Sequence, residues 1–151
     1  MSLGKKLAAK FLPNPILFWL KEHYYTRAVA KFWEADVEPI KCFLKRGDYA
    51  LDIGANIGDY SLVLARLVGD AGKVWAIEPI PDTFRLLSAV VKRLGLTNVE
   101  LVNCALSDQN GSAIMEIPRH DYGGANFYMA RIVSANMSEP TLTRSTPCLS
   151  P

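Results

Sequence analysis

Two acids, two glycines and an asparagine are spaced so that they could hold a small charged ligand. Asp52, Gly54, Asn56 and Gly58 lie in the stretch Y-A-L-D-I-G-A-N-I-G-D-Y from Tyr49 to Tyr60, and Glu78 follows twenty residues after Gly58. A short apolar run breaks at the glycines, and an apolar-periodic segment begins at once. Strand, glycine turn, helix is the opening of a nucleotide-type α/β unit. Glycine lacks Cβ, so a ligand can approach the main chain closely there. The following helix offers unpaired N–H groups and the positive end of its dipole.

The residues between the glycines narrow the choice of ligand. A dinucleotide fingerprint, G-x-G-x-x-G, aligned from Gly54 would put Asn56 at the second glycine and Asp59 at the third. Asp59 would then place a carboxylate where a pyrophosphate should rest, a repulsion of about a kcal/mol or more at low dielectric. The spacing that fits is D-x-G-x-N-x-G, from Asp52 to Gly58. It suits a zwitterionic end, with an ammonium for carboxylates and a carboxylate for backbone N–H groups. S-adenosylmethionine has such an end. The plain alternative is a tight turn that binds nothing. Glu78 closes the next apolar run, where an acid can accept hydrogen bonds from both ribose hydroxyls; its plain alternative is an exposed Glu that solvates a loop.

The elements that must position these residues follow from periodicity and punctuation. Met1 to Arg46 reads as an amphipathic helical segment. Its first part stops at Pro13-Asn14-Pro15, and a second helical pattern runs from Thr26 to Leu44, interrupted near Pro39. After Gly58 a helix with Ile57, Ser61, Leu64 and Val68 near one stripe ends at Gly69. Lys73 to Glu78 reads as a second parallel strand, Thr83 to Leu94 as a helix capped by Asp82, and Asn98 to Ala105 as a third strand. Beyond the turn at residues 107–111, Ser112 to Ile117 and Asn126 to Ile132 alternate as two antiparallel strands around Gly123-Gly124. The expected fold class is α/β: the first half of a Rossmann-like parallel sheet, with N-terminal helices and a C-terminal β-hairpin. The expected divisions are 1–46, a helical segment; 47–133, a partial domain; and 134–151, a poorly ordered Ser/Thr/Pro-rich tail.

Composition sets bounds on function. The chain has 151 residues, enough for one domain with a core and too few for two. Its net charge of +2 gives no electrostatic case for nucleic acid, although residues 1–46 hold nine Lys/Arg against four Asp/Glu. A basic, aromatic-rich segment can lie on an anionic membrane surface, but such helices more often pack over a catalytic domain. Ile16 to Leu20 is too short to span a bilayer. Cys42, Cys104 and Cys148 are far apart and without metal-ligand spacing, so reduced thiols, a cytoplasmic setting and no metal are expected.

Three blocks carry a family resemblance: D-I-G-A-N-I-G-D-Y-S at Asp52 to Ser61, A-I-E-P-I-P at Ala76 to Pro81, and L-V-N-C-A-L-S-D-Q-N-G at Leu101 to Gly111. In order and spacing they resemble the FkbM-type S-adenosylmethionine-dependent methyltransferases, over roughly Gly47 to Ile117. The resemblance implies a class I methyltransferase fold and transfer of a methyl group to a hydroxyl of a sugar or natural product. It also implies that Asp52, Gly54, Asn56 and Gly58 contact the methionine end of the donor and Glu78 the ribose. Asn103, Ala105 and Leu106 would border the adenine, the last two partly through backbone groups.

The family pattern continues with a strand resembling I-K-I-D-V-E-G that neighbours the first strand, and nothing in this chain matches it. A truncated methyltransferase is the expectation, its first strand left with an unpaired apolar edge open to self-association. No general base is identified. His120 and Asp121 precede the Gly123-Gly124 turn, and His23 lies within the aromatic N-terminal segment. Two other readings stand beside the methyltransferase: a non-catalytic ligand-binding or interaction fragment, and a dinucleotide oxidoreductase, which Asn56 and Asp59 disfavour.

Overall fold

A computed structural model describes residues 13–32, 34, 37–107, 111–118 and 130–136. Their elements run α1 (Asn14–Ala30), α2 (Val37–Phe43), β1 (Tyr49–Ile53), α3 (Asp59–Val68), β2 (Lys73–Ile77), α4 (Pro81–Leu94), β3 (Val99–Val102), β4 (Ser112–Glu116) and β5 (Arg131–Asn136). β1, β2 and β3 form a parallel sheet in that order, in register Tyr49 to Lys73 and Val74 to Val99, and β4 pairs antiparallel with β5. This is the first half of a Rossmann-like α/β sheet, as expected.

One face of the sheet carries the core. Ala50, Val74 and Ala76 point to the side where Leu64, Ala65 and Val68 of α3 and Leu87 and Val91 of α4 pack. α1 lies across both helices, with Val29 buried beside Ile57, Leu62, Leu86 and Val90, and Phe18 and Tyr25 packed against them. Burial of this apolar surface stabilises the unit at about 25 cal/mol per Å² removed from water. The opposite face is bare: Tyr49, Leu51 and Ile53 are each more than 60% exposed, and Tyr49 meets Trp75 edge to face. Among the described residues β1 pairs with β2 alone.

Several boundaries differ from the sequence reading, each for a local reason. Pro13 and Pro15 open α1 instead of only ending a helix, because a proline in the first turn gives up an N–H that has no partner there. The Thr26–Leu44 pattern is two helices: α1 ends at Ala30, and Pro39 sits in the first turn of α2 without interrupting it. Likewise α4 begins at Pro81, and Asp82 is a first-turn residue and not its cap. The described part of the second hairpin strand is β5, at Arg131–Asn136, which overlaps the expected Asn126–Ile132 at Arg131 and Ile132 and runs on to Asn136. Residues 126–129 lie outside the described ones. A register shift between Ile114 and Met115 is not signalled by alternation along the chain. Cys42 is a free, exposed thiol, but Cys104 is buried and disulfide-bonded, so the expectation of reduced thiols fails at that residue. No helix among the described residues is long and apolar enough to cross a membrane.

Candidate functional site

The carboxyl ends of β1, β2 and β3 bring Asp52, Gly54, Asn56, Gly58, Glu78 and Asn103 together. The turn after β1 is tied to β2, since the N–H groups of Gly54 and Ala55 both donate to the Ile77 carbonyl at 2.9 Å. Three positive φ angles shape it: Gly54 at 80°, Asn56 at 50° and Gly58 at 100°. Asn tolerates this left-handed region better than most residues. A Cβ placed on Gly54 would meet nothing within 4 Å, so the main chain there faces open space. A Cβ on Gly58 would lie 2.9 Å from Leu87 Cδ1, so that glycine serves the close packing of the turn on α4.

Glu78 is a buried latch and not an exposed strand end. One carboxylate oxygen accepts the Asn56 N–H and the other the Ile80 N–H, each at 2.9 Å. An ionised carboxylate offers about four acceptor sites, so both oxygens retain capacity for ligand hydroxyls. Asn103 Nδ2 donates to the Glu78 carbonyl at 2.7 Å and fixes the end of β3 against the end of β2. Beyond it, Ala105 is half-buried and Leu106 exposed.

Asp52 does a job that the strand–turn–helix pattern did not reveal. Its carboxylate accepts both the hydroxyl and the backbone N–H of Ser61, so it caps the first turn of α3 from the neighbouring strand. The N–H groups of that turn are therefore not all available to a ligand. Ser61 is fully buried, and a polar residue on the apolar stripe of α3 was the one signal of this role.

The electrostatics of the hollow are one-sided. Burial pushes the carboxyl groups of Asp52, Asp59 and Glu78 above their ordinary values; Glu34 and Asp52 add repulsion at Asp59, and Asp52 adds it at Glu78. Among the described residues none of these four acids has a Lys or Arg partner. Such a hollow rejects a pyrophosphate and favours a cation. No group of His, Cys, Asp and Glu suited to a metal occurs among the described residues. His23 packs in α1 against Trp19, with ring centroids 4.9 Å apart. His120, Asp121 and Gly123-Gly124 lie outside the described residues.

This α/β half-sheet with its acid-lined glycine turn is of the class I methyltransferase type, for which S-adenosylmethionine is the methyl donor. The methyltransferase FkbM domain matches residues 52–147, and the chain belongs to that family. Over 59 residues it is 41% identical to protein-L-isoaspartate O-methyltransferase 2 of Archaeoglobus fulgidus, and 41% identical to the protein-L-isoaspartate O-methyltransferase of Methanococcus aeolicus. Each match covers 39% of this chain and 27% of the relative. The chain thus spans about a quarter of the length of these curated relatives. Among solved structures, an S-adenosylmethionine-dependent O-methyltransferase from Thermotoga maritima is 33% identical, with a TM-score of 0.42, over 46% of this chain and 28% of that one. A methyltransferase from Aquifex aeolicus is 29% identical, with a TM-score of 0.43, over 58% and 49%.

Proposed function

We propose that the chain carries the donor-binding half of an S-adenosylmethionine-dependent O-methyltransferase. The observation that supports this most directly is the unneutralised acid cluster around an open glycine turn. The donor brings a sulfonium and an ammonium to that cluster, whereas a dinucleotide would bring a pyrophosphate. In this reading the Asp52 carboxylate faces the ammonium with its remaining acceptor capacity, the main chain at Gly54 and Asn56 approaches the methionine end, and Gly58 sets the turn. Glu78 takes the ribose hydroxyls with its remaining acceptor sites, and Asn103, Ala105 and Leu106 border the adenine.

The reaction is an in-line displacement: an acceptor hydroxyl oxygen attacks the donor methyl, and the sulfur–methyl bond breaks as the oxygen–methyl bond forms. S-adenosylhomocysteine leaves as a neutral thioether, and the hydroxyl proton passes to a base or to water. The protein's part is alignment in a site from which water is excluded. A hydroxyl of a sugar or natural product is the acceptor we infer from the family. The names of the archaeal relatives give a second reading, a carboxylate of a protein. Separate from catalysis, the exposed apolar face of β1 supports self-association of this chain.

Methyl transfer from labelled donor to a panel of glycans and small hydroxylated compounds, beside an isoaspartyl peptide, tests the reading. Label in a hydroxyl acceptor is the expected result, and label in the peptide alone would replace the small-molecule acceptor with a protein. Donor binding without transfer to any acceptor would leave a ligand-binding fragment as the correct description.

A further inference from the structure

A cavity of about 440 Å³ lies between α1, the start of α4 and the glycine turn, which it meets at Asn56 and Ile57. Leu17, Phe18, Ile57 and Leu86 give it an apolar wall, while Lys21, Arg85, Thr83 and Asp82 supply its polar groups. Thr83 is 5% exposed, and its hydroxyl has no hydrogen-bond partner among the described residues. A buried, unpartnered hydroxyl is costly and calls for an explanation. Three further features share its surroundings. α4 begins without a side-chain cap, so first-turn N–H groups are open beside the cavity. The Arg85 guanidinium is held over the Phe18 ring, 4.2 Å from its centroid, which fixes its position at the rim. Neither Lys21 nor Arg85 has a carboxylate partner among the described residues.

We infer that this cavity binds an anionic group, a carboxylate or phosphate, carried on an apolar body. The anion would sit at the start of α4, accepting from the Thr83 hydroxyl and first-turn N–H groups between Lys21 and Arg85, which outweigh the single carboxylate of Asp82. The apolar body would lie against Phe18, Leu17 and Leu86. A bare phosphate would leave most of the volume unfilled, since 440 Å³ is the size of a site for an organic ligand. Asn56 borders both this cavity and the glycine turn.

The test uses the full chain with no methyl donor present, so it does not depend on the donor reading. Octanoate, octyl phosphate and neutral octanol are titrated by calorimetry, with amide shifts of residues 82–86 followed by NMR. At least one anion should bind about tenfold or more tightly than octanol and shift those amides. Lys21→Met and Arg85→Gln, both at exposed positions, should each weaken that anion by about tenfold. Thr83→Val should weaken it as well while leaving the thermal midpoint unchanged or higher, because the lost hydroxyl had no partner. Binding of octanol as tight as that of the anions would overturn the proposal. So would no binding at all, or anion binding that all three variants leave untouched.

Discussion

Replacing Glu78 separates its role as a latch from the ligand contact proposed for it. In Glu78→Ala the N–H groups of Asn56 and Ile80 both lose their acceptor in a buried place. Each unsatisfied buried donor costs about 1–3 kcal/mol, so the loss is roughly 2–6 kcal/mol. That is a large share of the 5–15 kcal/mol typical of a domain. Glu78→Gln keeps one acceptor oxygen and removes a charge that burial already disfavours, so the expected loss is nearer about 1–3 kcal/mol. Urea denaturation ranks the two variants, and calorimetry with S-adenosylhomocysteine then measures the folded Gln variant. Its affinity should fall by roughly 10- to 100-fold, the scale of lost charge-assisted hydrogen bonds. A folded Glu78→Gln chain with an unchanged Kd would remove Glu78 from the donor site. An Ala variant as stable as the parent would refute the latch.

Three other outcomes follow from the same geometry. Gly54→Ala should cost about 1–3 kcal/mol from its positive φ alone, whereas Gly58→Ala should cost more because its Cβ also meets Leu87; equal midpoints in urea would contradict this. Raised carboxyl values make the folded chain bind protons that the unfolded chain releases. Stability should therefore fall as pH rises through the raised values of Asp52, Asp59 and Glu78, and be fully recovered below their ordinary values near about 4. A bound ammonium favours the ionised forms, so affinity for S-adenosylhomocysteine should rise over the same window with proton release; calorimetry in buffers of different ionisation enthalpy reads it, and proton uptake would contradict it. Leu51→Lys, at a position 61% exposed, should leave stability within about 0.5 kcal/mol and shift sedimentation toward monomer, and an unchanged association constant would clear β1 of a role in self-association.

Legibility in the sequence tracked how local each determinant is. Gly69 and Gly95, which end α3 and α4, act through their own backbone angles, so the chain announces them. Pro81 and Pro39 misled because a proline is equally at home after a helix and in its first turn; packing decides which. The pairing partner of β4 depends on a long-range register, and alternation alone did not carry the strand past Ile132 to Asn136. The acids themselves could be picked out at strand ends, but not that Glu78 and Asp52 spend part of their capacity on Asn56, Ile80 and Ser61. Thr83 read as the first residue of a helix, and nothing along the chain tells that its hydroxyl would be buried without a partner.

Binding of the methyl donor bears most directly on the whole account. Calorimetry of the full chain with S-adenosylmethionine, S-adenosylhomocysteine and NAD should show one-site binding of the first two and none of the third. Tight binding of NAD, with no heat from either adenosyl amino acid, would contradict the assignment of the acid-lined turn.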